Sequence, residues 1–568
     1  MASIIKKKKK NQFYYYIVES QRVNGKPRIV WQKYLGKVED IARAMSNPEQ
    51  LTPPKHAKVF EFGAVAALLT VAEQLKIIET IDNHIPKREQ GISVGEYMLI
   101  AAINRALAPT SKSKIGDWFD GTILSRLLPA NKKQLSSQRF WDNMSLLTEE
   151  AIQNIESELV TRMVRDFNIS LDCLVYDTTN FFTYIDTMNT SKLPQRGRSK
   201  EKRNDLKIVG LALMVSTDFH VPLFHQAYSG SIPDVKQFGF IIEKLTQRCM
   251  EVAQDIENIT LVFDKGNNCK NNIKGIAGKP FHFVGSLTPS HHKDLLDVPK
   301  SEFIPVDPDK YEGLTAYRTS KKVFGKEMAI VITHNPKLLQ GQMQGIMLQM
   351  EKCMQKLAEL QNRLQDRKAK PRKGRAITRA SLEKQVKKIL SAQYVSEIFD
   401  IEITELEGNH LELFFKVNAD KLEQVQEKYL GKTILFTNNL DWDTEKIITS
   451  YRSQHKIEES FKRMKDTHFL SYRPVFHWTD QKIRVHTFYC VLALMLCSLL
   501  KRELHQKGVD MSIPKILDTL GDIKEVVVVY PKKGQSKKDR QHITLSKLTP
   551  EQKKLIEVLD LKKYSMVG

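Results

Sequence analysis

Cysteine is scarce and never closely paired in this sequence: Cys173, Cys249, Cys269, Cys353, Cys490 and Cys497 include no Cys-x-x-Cys. That spacing argues against a disulfide framework and a structural zinc site, and it fits a reducing cytoplasm. A long hydrophobic run is also missing. The most apolar stretch, Phe488 to Leu500, lies between Arg484 and Lys501. It falls short of the ~20 residues of a membrane span, so a buried helix and no membrane partner are expected. The lysine run Lys6 to Lys10 precedes only the short Phe13 to Val18, with no small-residue cleavage site, so no secretory leader is expected. Acid is in deficit, 66 Asp and Glu against 88 Lys and Arg, leaving a net charge of +22. Such a field favours a polyanion, nucleic acid first, but identifies no chemistry. Lys6 to Lys10 alone are as compatible with solvation as with contact.

At 568 residues the chain is several times the usual domain size, so three or four structural units are expected. In residues 1–50, β-rich runs from Phe13 to Leu35 flank Asn24-Gly25, a pair suited to a tight hairpin turn. Residues 51–168 read as helical after Pro53-Pro54, with Val59 to Ile78 apolar-rich and Ser93-x-x-Glu96 forming a capping box ahead of Tyr97 to Leu107. DNA-end binding is assigned to this region by elimination; its Lys112, Lys114, Lys132 and Lys133 fit phosphate contact or plain solvation. Residues 169–287 change texture: strands at Leu171–Tyr176, Leu206–Ser216 and Val221–Tyr228, a helix at Asp234–Val252, then strands at Ile259–Phe263 and Pro280–Leu287. This is the order of a ribonuclease-H-like mixed sheet in an α/β core.

Residues 288–430 read as an insertion between the fifth strand and the helix that follows. It holds a polar helical stretch, Leu338 to Gln365, and a basic break, Arg367 to Arg379, with Pro371 and Gly374 inside it; the break suits a solvated loop or a phosphate-tracking arm. Residues 431–505 return to the core with a helix from Tyr451 to Phe469, where Ile457, Phe461 and Met464 mark a buried stripe. The tail, 506–568, carries a strand at Val526–Tyr530 before the polar run Lys532 to Arg540, as in a hairpin, and is a candidate for dimerisation or DNA contact.

Three acids are the candidates to carry chemistry. Asp177 follows Leu174-Val175-Tyr176, and Asp264 follows Leu261-Val262-Phe263. One Asp after a buried run is ordinarily a turn residue. If these two runs are neighbouring strands, however, the carboxylates converge and repel unless a cation lies between them. The third acid is Glu458, beside the buried stripe of the Tyr451 helix. Seven residues make nearly two turns, so Tyr451, Glu458 and Lys465 are expected along one helix edge. A solvated amphipathic helix has the same pattern.

The segment Tyr451-Arg-Ser-Gln-His-Lys-Ile-Glu458-Glu-Ser-Phe-Lys-Arg-Met-Lys465 resembles insertion-sequence DDE transposases of the subgroup with a Tyr-Arg-Glu-Lys signature. Further similarity lies in Tyr176-Asp-Thr-Thr-Asn180, Gly197-Arg-Ser-Lys200 through Asp205-Leu206, Gly230-Ser-Ile-Pro-Asp234, Phe263-Asp-Lys-Gly-Asn267, Arg473-Pro-Val475 and His477-Trp478. The resemblance implies that Asp177, Asp264 and Glu458 are the catalytic residues and hold two Mg²⁺ about 4 Å apart, Mn²⁺ being able to substitute. The nucleophile would be water for cleavage or a DNA 3′-OH for joining. Tyr451, Arg452, Lys462 and Lys465 would contact DNA. The family's Arg falls at Gln454 here, while Arg452 lies two positions earlier. The expected partners are double-stranded DNA, as element terminal repeats and target, and a second copy of the chain in a synaptic homodimer. The expected setting is the cytoplasm of a prokaryotic cell, near the nucleoid. Two other readings share these residues: a catalytically silent, transposase-derived DNA-binding protein, and a metal nuclease without strand transfer.

Overall fold

The computed structural model describes residues 2–9, 12–23, 26–46, 53–186, 188–253, 256–369, 377–406, 410–473, 475–531 and 539–566. The expected turn at Asn24-Gly25, most of the basic break Arg367 to Arg379, the hairpin tip after Lys532 and Pro474 lie outside the described residues. The chain divides into two compact units, residues 67–120 with 124–517, and residues 1–66 with 121–123 and 518–568.

The larger unit is built on a mixed nine-stranded sheet. Its strands are β1 (Cys173–Thr183), β2 (Lys207–Ser216), β3 (Pro222–Ser229), β4 (Thr260–Phe263), β5 (His282–Leu287), β6 (Ile304–Pro305), β7 (Thr315–Val323), β8 (Lys326–His334) and β9 (Lys432–Thr437). They lie in the order β6-β7-β8-β9-β5-β4-β1-β2-β3. β1, β2 and β3 form an antiparallel meander, and β4 and β5 run parallel to β1. Every residue of β2 is buried, as expected for an interior strand whose sequence, Lys-Ile-Val-Gly-Leu-Ala-Leu-Met-Val-Ser, scarcely alternates.

Helices fix the two faces. Along β1, alternate side chains point to opposite sides. Tyr176 packs on Phe238 of α1 (Asp234–Val252), ring centroids 4.9 Å apart. Phe181, on the Asp177 side, stacks on Tyr472 at 4.0 Å. Two further helices, α2 (Thr444–Arg452) and α3 (His455–Lys465), follow β9, and α3 packs on β1 and β2.

Several expectations change here. β1 does not end at Tyr176; Thr178, Thr179 and Asn180, polar and turn-like in sequence, are buried within it. The stretch 288–430 contributes β6, β7 and β8 to the same sheet before its long helix, Pro336–Ala369, begins. The apolar run around Phe488 belongs to α4 (Asp480–Gln506), a 27-residue helix long and apolar enough to cross a membrane, with 94% of its apolar window buried in the fold.

The helix Val94–Leu107 packs against α4. Its capping box is present: Ser93 Oγ accepts from Glu96 N–H at 3.2 Å, and Glu96 Oε2 accepts from Ser93 N–H at 2.6 Å. Lys112 does not face solvent, and hence no phosphate. Its buried amine donates to Tyr489 Oη at 2.8 Å and lies 2.6 Å from His477 Nε2. Burial and the nearby Arg105 push it well below the ordinary lysine range.

The smaller unit holds two three-stranded sheets. In one, Ala2–Lys9 pairs with Gln12–Val23, which pairs with Lys26–Gly36, so the lysine run forms a third strand beside the expected hairpin. In the other, Lys524–Tyr530 lies between Arg540–Leu545 and His56–Glu61. His56–Glu61 was expected to open a helical region; it is a strand, exposed from His56 to Val59 and part-buried at Phe60 and Glu61, that pairs along its length with Lys524–Tyr530.

Candidate active site

The middle of β1, the carboxyl end of β4 and one helix define the site. In the parallel pair β1/β4, Tyr176 is level with Phe263, so the next residues, Asp177 and Asp264, stand side by side at the carboxyl ends of the pairing. Thr178 N–H donates to Asp177 Oδ1 at 2.7 Å. Burial raises Asp177 to about 6; Lys200 and that hydrogen bond lower it, and the charges of Asp264 and Asp234 raise it. The site therefore holds a carboxylate that its own surroundings disfavour in the ionised form.

Glu458 reaches the same place from α3. Asp177, Asp264, Glu458, Lys462 and Lys465 line one open cavity of about 690 Å³, together with Thr178, Thr179, Lys200, Gln454, Phe461 and Asp466. Glu459 turns the other way, pairing with Arg463 one turn on and lying 3.6 Å from His220 Nδ1. The buried stripe Ile457, Phe461, Met464 sets this rotation by fixing which edge of α3 meets the sheet.

Tyr451 is not on the Glu458 helix, contrary to the single helix expected from Tyr451 to Phe469. It lies in the last turn of α2, and the chain passes to α3 through Ser453 and Gln454 by three-residue hydrogen bonds, Gln454 N to Tyr451 O at 3.1 Å and Ile457 N to Gln454 O at 3.2 Å. Both junction residues keep right-handed helical angles, so the path bends without reversing. Helix α3 then stops at Lys465, with Asp466 extended. Tyr451 is half-buried beside the cavity; burial pushes its phenol up to about 12, with Asp264 and Glu458 adding to the shift.

Arg452 is outside the cavity. Its guanidinium lies 4.5 Å over the Tyr311 ring, and it is Gln454 that lines the cavity. Lys465 is half-buried, and burial lowers its ammonium. Its amine sits 5.9 Å over Phe181, while Arg473 Nη2 donates to its carbonyl at 3.1 Å.

Lys200 was not among the expected site residues. Its amine donates to the Thr178 carbonyl and lies 3.3 Å from Asp234 Oδ2, and its N–H donates to Asn180 Oδ1 at 3.0 Å. It also lines a second cavity of about 710 Å³ with Arg198, Lys202, Tyr228 and Asp234. The loop bearing Lys200 comes close because Gly197 and Gly230 carry no side chain: a Cβ on Gly197 would stand 1.9 Å from the Gly230 carbonyl oxygen. The pair of motifs beginning at Gly197 and Gly230 was the available signal for this loop.

The donor set suits a hard divalent cation: carboxylates only, one of them held toward protonation by burial and by neighbouring carboxylates that a cation would neutralise. Among the described residues no three such groups already enclose one point. Glu458 is exposed on its helix.

No family model and no curated protein matches the chain. Among solved structures, a match is the cryo-EM structure of piggyBac transposase synaptic complex with hairpin DNA, at TM-score 0.36 and 9% identity, covering 80% of this chain and 79% of that one.

Proposed function

We propose that this chain is a DDE transposase that cuts and joins DNA with a ribonuclease-H-like core. The observation that carries the reading is the level placement of Asp177 and Asp264 on parallel neighbouring strands, with Glu458 from α3 lining the same cavity. The order of the five strands β3-β2-β1-β4-β5, a meander followed by two parallel strands, supports the ribonuclease-H-like reading.

In this reading Asp177, Asp264 and Glu458 hold two Mg²⁺, or Mn²⁺ in substitution. Bound there, the metal would neutralise charge on the scissile phosphate and favour a deprotonated oxygen nucleophile. The chain's own groups do the rest. Lys462, Lys465 and Lys200 line the cavity with positive charge and draw the DNA backbone toward the acids. Tyr451, with its phenol kept protonated, can donate a hydrogen bond to a phosphate oxygen. No side chain needs to attack phosphorus, since phosphoryl transfer depends on position and charge more than on a covalent protein intermediate. Gln454, an uncharged amide, takes the place where the resembled signature carries Arg, so one phosphate contact is weaker here. Double-stranded element ends and target DNA are the proposed partners, with two copies of the chain bridging a pair of ends.

The test is cutting and joining of DNA carrying the native element's ends, in Mg²⁺ or Mn²⁺. End cutting followed by insertion into a target supports the transposase. Cutting without joining would make the chain a nuclease, and end binding without cutting in either metal would make it a silent DNA-binding protein.

A further inference from the structure

The sheet formed by Ala2–Lys9, Gln12–Val23 and Lys26–Gly36 is not used by the chemistry above. Ala2–Lys9 is one of its two edge strands. Side chains alternate along a strand, so Lys6 and Lys8 leave one face and Lys7 and Lys9 the other. Rings hold the amines in place: those of Lys6 and Lys8 lie 5.3 and 5.9 Å over Phe13, and that of Lys7 lies 4.8 Å over Tyr16 and 3.0 Å from Gln32 Oε1. Among the described residues none of these four lysines has an acidic partner, and Glu19 is the one acid in the three strands, against Arg22, Lys26, Arg28 and Lys33 as well.

The faces are not bare charge. Register places Lys33 and Ile4 beside Ile17, and Trp31 beside Glu19, on the Lys6 and Lys8 side. On that side Ile4 is 64% exposed, Phe13 46% and Trp31 49%. A charged residue or two suffices to stop an edge strand pairing with another molecule. Four consecutive ammonium groups beside exposed rings exceed that need, and they repel one another until a countercharge arrives.

We propose that this sheet docks, edge strand first, into the major groove of duplex DNA, as a holding surface separate from the carboxylate cavity. The groove is about 12 Å wide and admits a β-ribbon between two phosphate walls. Alternation then delivers Lys6 and Lys8 to one wall and Lys7 and Lys9 to the other. The contacts are to phosphate, so the surface tolerates sequence and its binding weakens steeply with salt.

Fluorescence anisotropy of the full chain on a mixed-sequence duplex, in EDTA and across a salt series, tests this without any cleavage, so failure of the catalytic reading leaves it standing. Replacing Lys6, Lys7, Lys8 and Lys9 together by Gln should flatten the slope of log affinity against log salt by roughly three to four, and weaken binding about 10-fold or more near physiological salt. The four Lys→Arg changes should preserve both slope and affinity. An unchanged slope in the Gln variant overturns the proposal. Equal loss in the Arg variant overturns it too, as does a defect seen only with single-stranded DNA or only with anionic lipid vesicles.

Discussion

Burial, with Asp264 and Asp234 nearby, raises Asp177 to about 6, above the ordinary carboxylate value. The metal-free fold therefore binds one more proton than the unfolded chain between about pH 4 and 6, and stability falls as pH rises through that window. Asp177→Asn removes the charge and keeps the shape. At pH 7 to 8 without metal the variant should be more stable than the wild type by on the order of 1–3 kcal/mol, with the advantage gone below about pH 4. Denaturant melts at several pH values check this. Addition of Mn²⁺ should then reverse the ranking, because only the wild type keeps the full donor set; equal stabilisation of both by Mn²⁺ would remove Asp177 from the metal site. A second residue-level expectation concerns the exposed cation Arg452, which lies on Tyr311 and away from the cavity. Arg452→Ala should lower end cutting less than Lys465→Ala, and the reverse order would mean that the α2–α3 junction rearranges on DNA.

The loop from Gly197 to Lys200 and the turn at Gly230 are where an element-level change should matter most. A methyl at Gly197 meets the Gly230 carbonyl, which is backbone and cannot step aside as a side chain would. Gly197→Ala should cost about 1–3 kcal/mol and displace Lys200 from the Thr178 carbonyl. Thermal melting and the rate of end cutting read the two effects separately; a variant with wild-type stability and rate would show that the loop is free to move.

Legibility in the sequence follows the same scale. The strand runs ending in Asp177 and Asp264 were readable because a buried apolar stretch followed by a carboxylate stands out, and α1 was found with its observed bounds, Asp234–Val252. The extension of β1 through Thr178, Thr179 and Asn180 was not, since polar residues read as a turn unless both sheet faces are known to be covered. The division of the Tyr451 helix was hidden because Ser453 and Gln454 keep helical angles, while the Ser453 hydroxyl donates back to the Ser450 carbonyl at 2.6 Å. Pairings across long stretches, β8 with β9 or His56–Glu61 with Lys524–Tyr530, leave no local signature. Lys200 was visible as part of a motif but not as a site residue, because its place depends on the close approach of two glycine-bearing loops.

At the scale of the whole chain, a net charge of +22 and a cavity that brings Asp177, Asp264 and Glu458 together make opposite demands, which DNA and a divalent metal together would satisfy in the proposed reading. Binding and chemistry should therefore separate: chelation by EDTA is expected to abolish cutting while duplex binding persists, and high salt to weaken binding. The measurement that tests the account most directly compares the wild-type chain with Glu458→Gln and Glu459→Gln for cutting and joining of DNA carrying the native element's ends in Mg²⁺ or Mn²⁺. The account predicts metal-dependent cutting and insertion by the wild type, loss of both in Glu458→Gln with DNA binding intact, and a far smaller effect in Glu459→Gln. Undiminished cutting by Glu458→Gln, or loss confined to Glu459→Gln, would contradict it.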